Sequence, residues 1–265
     1  FTVVSGRPAK FLKKLDKIKL FNPEKISDKN KSVVTSRIKY TLSPNAYLKS
    51  LKTGNQIPNI GSFYSPQKMY FYNRGRTALA HLLSSLGREK KTVGVQAYTC
   101  ETVFKSIEKA GHKLVFLDVD DNFQFVRDDL IKKIKKIDVL IVSHLFGYYQ
   151  DFSKFKKEIA DKIVIEDCTH SFLSKVDGLP FGHEGHASFF SFGFGKFPPI
   201  GPGGFSLVNK PEVFPFFEEK FNSIQVESLK SNVLNFFKLF VTSVFLRILR
   251  INKNLYFNFK EIKER

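Results

Sequence analysis

The pattern of apolar and polar positions changes near residue 70. The first 65 residues are polar and basic, are interrupted by proline and glycine, and show only short helical patches. From Tyr70 onward, short runs of β-branched and aromatic residues alternate with amphipathic segments. This alternation is typical of βα units, whose helices cover both faces of a mainly parallel sheet. We therefore predict an α/β fold in three layers, α/β/α, with helices flanking a mainly parallel central sheet.

The apolar runs and the segments between them give the order of the elements. Six runs are predicted as strands, at residues 92–95, 113–119, 138–146, 162–167, 187–192 and 203–209. Four amphipathic segments are predicted as helices, at residues 77–87, 102–111, 126–136 and 152–162. Each helix is about as long as a crossover between parallel strands requires. These elements divide the chain into a basic N-terminal arm at 1–65, a large domain at 66–220 and a C-terminal region at 221–265.

The C-terminal region contains an apolar segment at 233–251. Lys238, Arg247 and Arg250 interrupt it, so no uninterrupted stretch approaches the roughly 20 residues of a membrane span. Seven apolar residues recur on one helical face: Phe237, Phe240, Val241, Val244, Phe245, Ile248 and Ile251. This spacing predicts an amphipathic helix. We expect it to pack in a core or against a subunit, and contact with a membrane surface is the alternative.

The formal net charge of +18 raises the question of nucleic-acid binding, because clustered lysine and arginine neutralise phosphates. The basic residues are instead scattered over predicted helix faces, and no nucleic-acid-binding module is recognisable. We therefore predict no specific nucleic-acid partner.

Cysteine and histidine spacings argue against a disulfide scaffold and a metal site. Cys100 and Cys168 are far apart, which favours a reducing, cytoplasmic setting. His183 and His186 in GHEGH lack the helical i, i+4 spacing of zinc motifs, so we predict no metal. No signal-peptide pattern is visible near Phe1, and the only methionine is Met69. We interpret the sequence as a piece of a longer protein.

One lysine stands in an unusual setting. Lys196 lies in SFFSFGFGKFPPIGPGGF, at residues 188–205, among aromatic and small residues. Removal from water disfavours the charged ammonium and lowers the pKa of a lysine, which makes its amine a nucleophile at neutral pH. The alternative is a surface lysine whose aliphatic stem covers aromatic neighbours.

The carboxyl ends of the predicted strands supply further candidates, because ligands bind there in open α/β sheets. Asp167 ends the predicted strand at 162–167, and Cys168, Thr169 and His170 follow it. A buried, unpaired carboxylate would be costly, which favours a functional partner for Asp167. A helix N-cap is the alternative role. We expect Asp167 and Lys196 to flank one crevice.

The ordered motifs GRTAL, AYTC, VSHLFG, IEDCTHSF, FSFGFGK and GPGG, between residues 70 and 210, resemble those of a known family. The chain is similar to the DegT/DnrJ/EryC1/StrS sugar aminotransferases, which use pyridoxal 5'-phosphate (PLP) and have the aspartate aminotransferase fold. The resemblance implies that residues 66–220 bind PLP. It also implies a smaller C-terminal domain, which this chain is too short to contain whole.

The resemblance implies catalytic roles for three residues. Lys196 would form the Schiff base with PLP and later move a proton between the substrate carbon and the cofactor. Asp167 would bond to the pyridine nitrogen and keep it protonated, so that the ring can act as an electron sink. His170 matches a position that lies near the ring oxygen of the cofactor.

The resemblance also implies cofactor contacts around these three. Gly75, Arg76 and Thr77 open the first helix of the large domain, where backbone amides could hold the phosphate. Arg76 stands where the family generally has serine or threonine. The remaining matched positions are a serine that contacts the phosphate, either of two residues that could cover the ring, and a histidine beside the site: Ser191, Tyr98 or Cys100, and His144.

The implied function is an aminotransferase that moves an amino group from glutamate to a nucleotide-linked keto-sugar, for surface polysaccharide or glycan biosynthesis. Family members act as homodimers, so a homodimer is expected. One alternative is a PLP-dependent sugar dehydratase, but those enzymes replace the Schiff-base lysine with histidine, and retention of Lys196 disfavours that reaction. A noncatalytic relative that binds a membrane or a partner as a scaffold is the other alternative.

Overall fold

A computed structural model describes residues 60–65, 67–193, 196 and 203–224. Within 233–244 it also describes residues 233, 234, 237, 238, 240, 241 and 244. Most of the predicted N-terminal arm, at 1–59, lies outside the described residues.

Between residues 60 and 143 the described chain contains these elements: α1 (Ile60–Phe63), β1 (Met69–Tyr72), α2 (Gly75–Ser84), β2 (Thr92–Gln96), α3 (Glu101–Lys109), β3 (Lys113–Leu117), α4 (Arg127–Ile134) and β4 (Val139–Ser143). Two 3-10 turns follow, at Leu145–Gly147 and Ser153–Phe155. The second half contains β5 (Ile163–Asp167), β6 (Lys175–Val176), β7 (Leu179–Pro180), β8 (Ala187–Ser191), β9 (Gly204–Val208), a 3-10 turn (Pro211–Val213) and α5 (Phe217–Asn222).

Seven of the strands form one sheet in the order β1-β9-β8-β5-β4-β2-β3. Strands β2, β3, β4, β5 and β8 pair in parallel, while β9 runs antiparallel to both β8 and β1. The mainly parallel α/β sheet is therefore confirmed. All six predicted strands are present, and their observed bounds differ from the predicted ones by no more than three residues at either end.

Strand β4 shows how the three layers are held together, because all five of its residues are buried. Val139 and Ile141 belong to the apolar cluster beneath α2 and α3. Leu140 and Val142 belong to the cluster on the opposite face, beneath α4. Successive side chains of a strand point to opposite faces, so one strand supplies both cores of the α/β/α sandwich.

The helix predicted at 152–162 is wrong. Only Ser153–Phe155 forms a 3-10 turn, and the residues that follow are in turns. Phe152, Phe155 and Ile159 are nevertheless buried beside α4, so the apolar spacing that suggested a helix is used for packing. A short segment gains little from helix formation because the first turn is costly to nucleate, and anchoring by three side chains suffices here.

Residues 60–65 pack on the large domain, although the predicted arm included them. Tyr64 is fully buried, and its hydroxyl accepts a hydrogen bond from the amide of Leu173 at 3.0 Å. Its ring contacts Phe190 and Phe205, which stack on each other with centroids 4.3 Å apart. Tyr64, which the prediction assigned to the arm, therefore packs against the large domain, and the domain bounds themselves stay a prediction.

The described residues of the predicted C-terminal amphipathic segment are helical. Two side chains on its apolar face, Phe237 and Val241, are 62% and 48% exposed, so they do not pack into the core of the described chain. Across the described parts of the chain, none of the helices combines the length and apolar character needed to cross a bilayer.

A buried histidine joins the first strand to two helices. His81 of α2 is 7% exposed, and its Nδ1 lies 2.6 Å from the hydroxyl of Tyr72 on β1. The ring of Phe217 on α5 lies 4.3 Å from the imidazole, centroid to centroid. Burial disfavours the charged imidazolium and lowers the pKa of His81 to about 4.

We expect His81 to make the folded state sensitive to acid. Between pH 6.5 and about 4 the unfolded chain binds a proton at this position that the folded chain does not, so the free energy of unfolding falls as the pH falls. The loss reaches up to about 3 kcal/mol and is complete below pH 4, since one pKa unit corresponds to 1.36 kcal/mol. His81→Asn keeps an acceptor for Tyr72 but does not titrate.

Urea unfolding of both proteins at a series of pH values checks this expectation. His170, His183 and His186 also have lowered pKa values, and they are present in both proteins. The difference between the two pH profiles therefore isolates His81. Parallel profiles between pH 7 and pH 4 would contradict the role assigned to it.

Candidate active site

A cavity of about 430 Å³ opens at the carboxyl edge of the sheet. It is formed by the start of α2, the start of α3, the ends of β5 and β8, and Lys196. Among its lining residues are Arg74, Gly75, Arg76, Cys100, Asp167, Thr169, Ser191 and Lys196. The cavity thus lies where ligands bind in open α/β sheets.

Two glycines let the start of α2 reach the end of β8. A Cβ atom on Gly204 would lie 2.4 Å from the carbonyl oxygen of Phe190 and 2.7 Å from the amide nitrogen of Gly75. A Cβ atom on Gly75 would lie 2.7 Å from the Cβ of Ser191. Only glycine fits at these contacts. The positive end of the α2 dipole and the Ser191 hydroxyl are consequently held side by side, as anion binding requires.

Lys196 lies five residues after the end of β8 and is partly buried. Its Nζ lies 2.6 Å from Nε2 of His170 and 3.3 Å from the hydroxyl oxygen of Thr169. Burial lowers the pKa of Lys196, while the negative charge of Asp167 and the Cys100 thiol act in the opposite direction. The lowered pKa makes the amine form more accessible than on a solvated lysine.

His170 is held from both sides of its ring. Its Nδ1 accepts a hydrogen bond from the backbone amide of Phe146 at 3.0 Å, and Nε2 faces Lys196. The phenyl ring of Phe146 stacks on the imidazole, with centroids 5.6 Å apart and planes 10° apart. Burial lowers the pKa of His170, and the proximity of Lys196 acts in the same direction.

Two consecutive carboxylates at the end of β5 have different partners. Asp167 is 5% exposed and lines the cavity, and its Oδ1 accepts a hydrogen bond from the amide of Thr169 at 3.0 Å. Glu166 is 1% exposed and faces away from the cavity. It accepts hydrogen bonds from the amides of Gly182 and Gly185, at 3.1 and 2.7 Å.

His144 belongs to the Glu166 side. Its Nε2 lies 2.9 Å from a Glu166 oxygen, and its Nδ1 accepts a hydrogen bond from the backbone amide of Gln150 at 3.1 Å. Cys168 is close enough to these two residues that the three could surround a metal ion. Burial raises the pKa of the Cys168 thiol, and N–H donors already surround the Glu166 carboxylate, so the donor set does not suit a cation.

The structure brings most of the predicted site residues together. Six line the cavity, namely Gly75, Arg76, Cys100, Asp167, Ser191 and Lys196, and His170 contacts Lys196. Arg74 and Thr169 also line the cavity although the sequence analysis gave them no role. The sequence signal for Arg74 was its place next to Gly75. The signal for Thr169 was its place between Asp167 and His170.

Three other predicted cofactor contacts do not line the 430 Å³ cavity. One of them, His144, lines a smaller cavity that shares Asp167 and Lys196 with it. The hydroxyl of Thr77 donates to the side-chain oxygen of Asn73 at 2.9 Å. The ring of Tyr98 packs beside Phe123 at 5.6 Å, outside the lining of the 430 Å³ cavity. Both ring nitrogens of His144 are occupied as described. Their roles as cofactor contacts stay predictions.

The sheet order, the cavity at its carboxyl edge and the partly buried lysine define a class, the fold type I architecture of PLP-dependent aminotransferases. Within it, the chain belongs to the DegT/DnrJ/EryC1/StrS aminotransferase family, whose sequence profile matches residues 65–233.

Individual relatives agree with this membership. The GDP-perosamine synthase of Escherichia coli O157:H7 is 29% identical over 170 residues, which are 61% of this chain and 47% of the relative. The GDP-perosamine synthase of Vibrio cholerae is 28% identical over 143 residues, which are 52% of this chain and 39% of the relative. The chain thus spans less than half the length of the curated relatives that it matches.

Solved structures share the fold. The sugar aminotransferase CalS13 from Micromonospora echinospora superposes with a TM-score of 0.59 and 21% identity, covering 74% of this chain and 60% of that one. The E. coli GDP-4-keto-6-deoxy-D-mannose-3-dehydratase with bound hydrated PLP superposes with a TM-score of 0.58 and 16% identity, covering 68% and 54%. The fold therefore does not separate the two reactions.

The Glu166 carboxylate is expected to stabilise the fold more than its neighbour does. Glu166→Ala leaves the His144 imidazole and two glycine amides without their acceptor, at a cost of about 3 kcal/mol. Glu166→Gln keeps one acceptor oxygen and should cost less. Asp167→Ala is the matched control on the cavity side and should cost less than Glu166→Ala. Urea denaturation measures all three, and equal losses at 166 and 167 would refute the distinction.

Proposed function

We propose that this chain is the PLP-binding part of an aminotransferase that aminates a nucleotide-linked keto-sugar. The observation that carries the proposal is Lys196, a partly buried lysine of lowered pKa that lines the same cavity as Asp167 and the start of α2. Membership of the aminotransferase family supports it independently.

The residues of the cavity fit PLP in charge and in shape. The cofactor phosphate would be held by the amides of Gly75 and Arg76 and by the Ser191 hydroxyl, at the helix start that Gly204 allows to come close. Arg76 also brings a guanidinium to this end, which matches a phosphate by charge. Asp167 supplies the carboxylate that would face the pyridine nitrogen.

Each of the three central residues then has a chemical role. Bound PLP supplies an electron sink through which an amino group is carried from donor to acceptor. Lys196 would act as the nucleophile that holds the cofactor and as the base that moves the proton at the substrate carbon. The Asp167 carboxylate would favour a proton on the ring nitrogen. His170 orients the Lys196 amine through its Nε2 contact.

The remaining parts of the proposal concern substrates and setting. A nucleotide-linked keto-sugar is supported by the two GDP-perosamine synthase relatives and by the likeness to CalS13. Glutamate as the donor, a role in surface polysaccharide or glycan synthesis, and a homodimer rest on the family resemblance. The two unpaired cysteines support a cytoplasmic location.

Lys196 also favours amino transfer over dehydration. The dehydratases of this family have histidine at the Schiff-base position, and a histidine could not form that bond. The fold is common to both reactions, so the side chain at residue 196 separates them. A purely structural relative would have no need for a low-pKa lysine beside a buried aspartate.

Capture of PLP by this chain tests the first step. After incubation with PLP and reduction with borohydride, peptide mass spectrometry should find the cofactor on Lys196 in preference to solvent-exposed lysines. Lys196→Ala should lose that adduct and retain less PLP after gel filtration. Lys105→Ala, at an exposed position paired with Glu101, is the matched control and should behave as wild type. Equal labelling of Lys105 and Lys196 would count against the proposal.

The overall reaction is tested on the complete protein. With PLP, glutamate and a GDP-linked 4-keto-6-deoxy sugar, mass spectrometry of the sugar should show the keto oxygen replaced by an amine. Loss of a hydroxyl from the sugar would indicate a dehydratase instead.

A further inference from the structure

Two hydrogen bonds meet on the His170 ring, and together they determine where its proton lies. The backbone amide of Phe146 points at Nδ1 from 3.0 Å, and an amide N–H can only donate. Nδ1 must therefore present a lone pair. A neutral imidazole with a lone pair on Nδ1 carries its proton on Nε2.

The proton on Nε2 restricts the charge state of the lysine. Nζ of Lys196 lies 2.6 Å from Nε2, so the Nε2–H donates and the Lys196 nitrogen must accept. An ammonium group has no lone pair, and only the neutral amine can accept. A charged Lys196 would require the proton on Nδ1, where it would face the Phe146 amide hydrogen.

We propose that the backbone amide of Phe146, acting through His170, is the positioning group that keeps Lys196 in its neutral form before the cofactor arrives. The inference rests on the proposed function for its purpose, because a lysine must be neutral to attack a carbonyl carbon. The inference assigns this task to the backbone N–H of Phe146, a residue to which the sequence motifs gave no role.

The loop is built to hold this amide in place. Phe146 has φ +57°, in the left-handed region that a side chain with a Cβ disfavours, and Gly147 follows with φ +84°. The turn is tied to the strand ends, because the His144 amide donates to the Asp167 carbonyl at 3.1 Å and the Gly147 amide donates to the His144 carbonyl at 3.2 Å. The strained turn and His170 therefore share one anchor at the end of β5.

The charges around Lys196 show why such a device would be useful. Asp167, at the end of β5, and the Cys100 thiol, at the start of α3, both favour the ammonium form. Arg74 and Arg76, which line the same cavity, bring positive charge to it. Burial acts against the ammonium and lowers the pKa values of Lys196 and His170, in the same direction as the hydrogen bonds.

The tautomer can be measured directly in the cofactor-free protein. Nitrogen-15 histidine labelling with long-range proton–nitrogen NMR distinguishes a ring protonated on Nε2, on Nδ1 or on both. His170→Gln identifies the His170 signals. We expect the Nε2-protonated, Nδ1-free form at pH 8. A ring protonated on Nδ1, alone or in addition, would overturn the proposal.

A pair of proline variants tests the role of the amide. Phe146→Pro removes the N–H that faces His170. Phe123→Pro is the matched control, because Phe123 is a neighbouring phenylalanine with φ +62° whose amide donates to the Asp120 carbonyl. Proline can adopt neither conformation, so each variant disturbs its own loop. The Phe123 ring lies 5.3 Å from the Phe146 ring, centroid to centroid, so the control also perturbs the packing around residue 146 while keeping its N–H. Only Phe146→Pro should redistribute the His170 tautomers.

The same pair is compared for the reactivity of Lys196. Labelling with acetic anhydride at pH 8, read by mass spectrometry against exposed Lys105, reports the neutral fraction of Lys196. We expect Phe146→Pro to lower this ratio, by about tenfold for each unit by which the Lys196 pKa comes to exceed 8. Phe123→Pro should leave it unchanged. Equal loss in both variants would show a general loop effect and overturn the proposal.

The outcomes separate this inference from the proposed function. If Phe146→Pro does not fold, as judged by circular dichroism and gel filtration, the wild-type tautomer still decides. If the tautomer and the Lys196 reactivity are as expected but the protein does not capture PLP, only the cofactor assignment is refuted. Capture of PLP with a ring protonated on Nδ1 would refute the role of Phe146 alone.

Discussion

The site depends on the alternation of side chains at the end of β5. Successive residues of a strand point to opposite faces, so Glu166 and Asp167 cannot both face the cavity. Glu166 is turned toward N–H donors that satisfy it, and Asp167 is turned toward Lys196. A register shift of one residue would exchange the two carboxylates and leave an acid without partners on the structural side. The strong burial of β4 and β5 on both faces fixes the register.

The structural carboxylate and the cavity carboxylate are linked through the chain that follows β5. The Glu166 carboxylate bonds to His144, and the turn that follows His144 carries the Phe146 amide. This amide donates to His170, which lies three residues after Asp167. The residues that fix the sheet edge therefore also fix the ring beside the lysine. The neutral form of Lys196 that we propose would consequently depend on the backbone around β4 and β5, in addition to the side chains that line the cavity.

The sequence was sufficient for the parts of the site that follow from chain order. Apolar runs located the six strands, and the carboxyl-edge rule predicted that Asp167 and Lys196 flank one crevice. Spacing alone could not show the direction of a side chain. It therefore did not predict that the Tyr98 ring packs beside Phe123. The left-handed turn at Phe146 has no sequence signal, because phenylalanine is disfavoured there.

The departures from the family pattern change which forces could hold the cofactor. Of the two residues that the resemblance places over the ring, Cys100 lines the cavity, and a thiol offers less contact area to a planar ring than an aromatic side chain does. The aromatic ring of Phe146 instead stacks on His170, and Tyr98 packs beside Phe146. At the phosphate end, Arg76 replaces a hydroxyl by a guanidinium. Cofactor binding in this chain would accordingly depend less on stacking and more on charge at Arg76 and Asp167, with the covalent bond to Lys196 as the anchor.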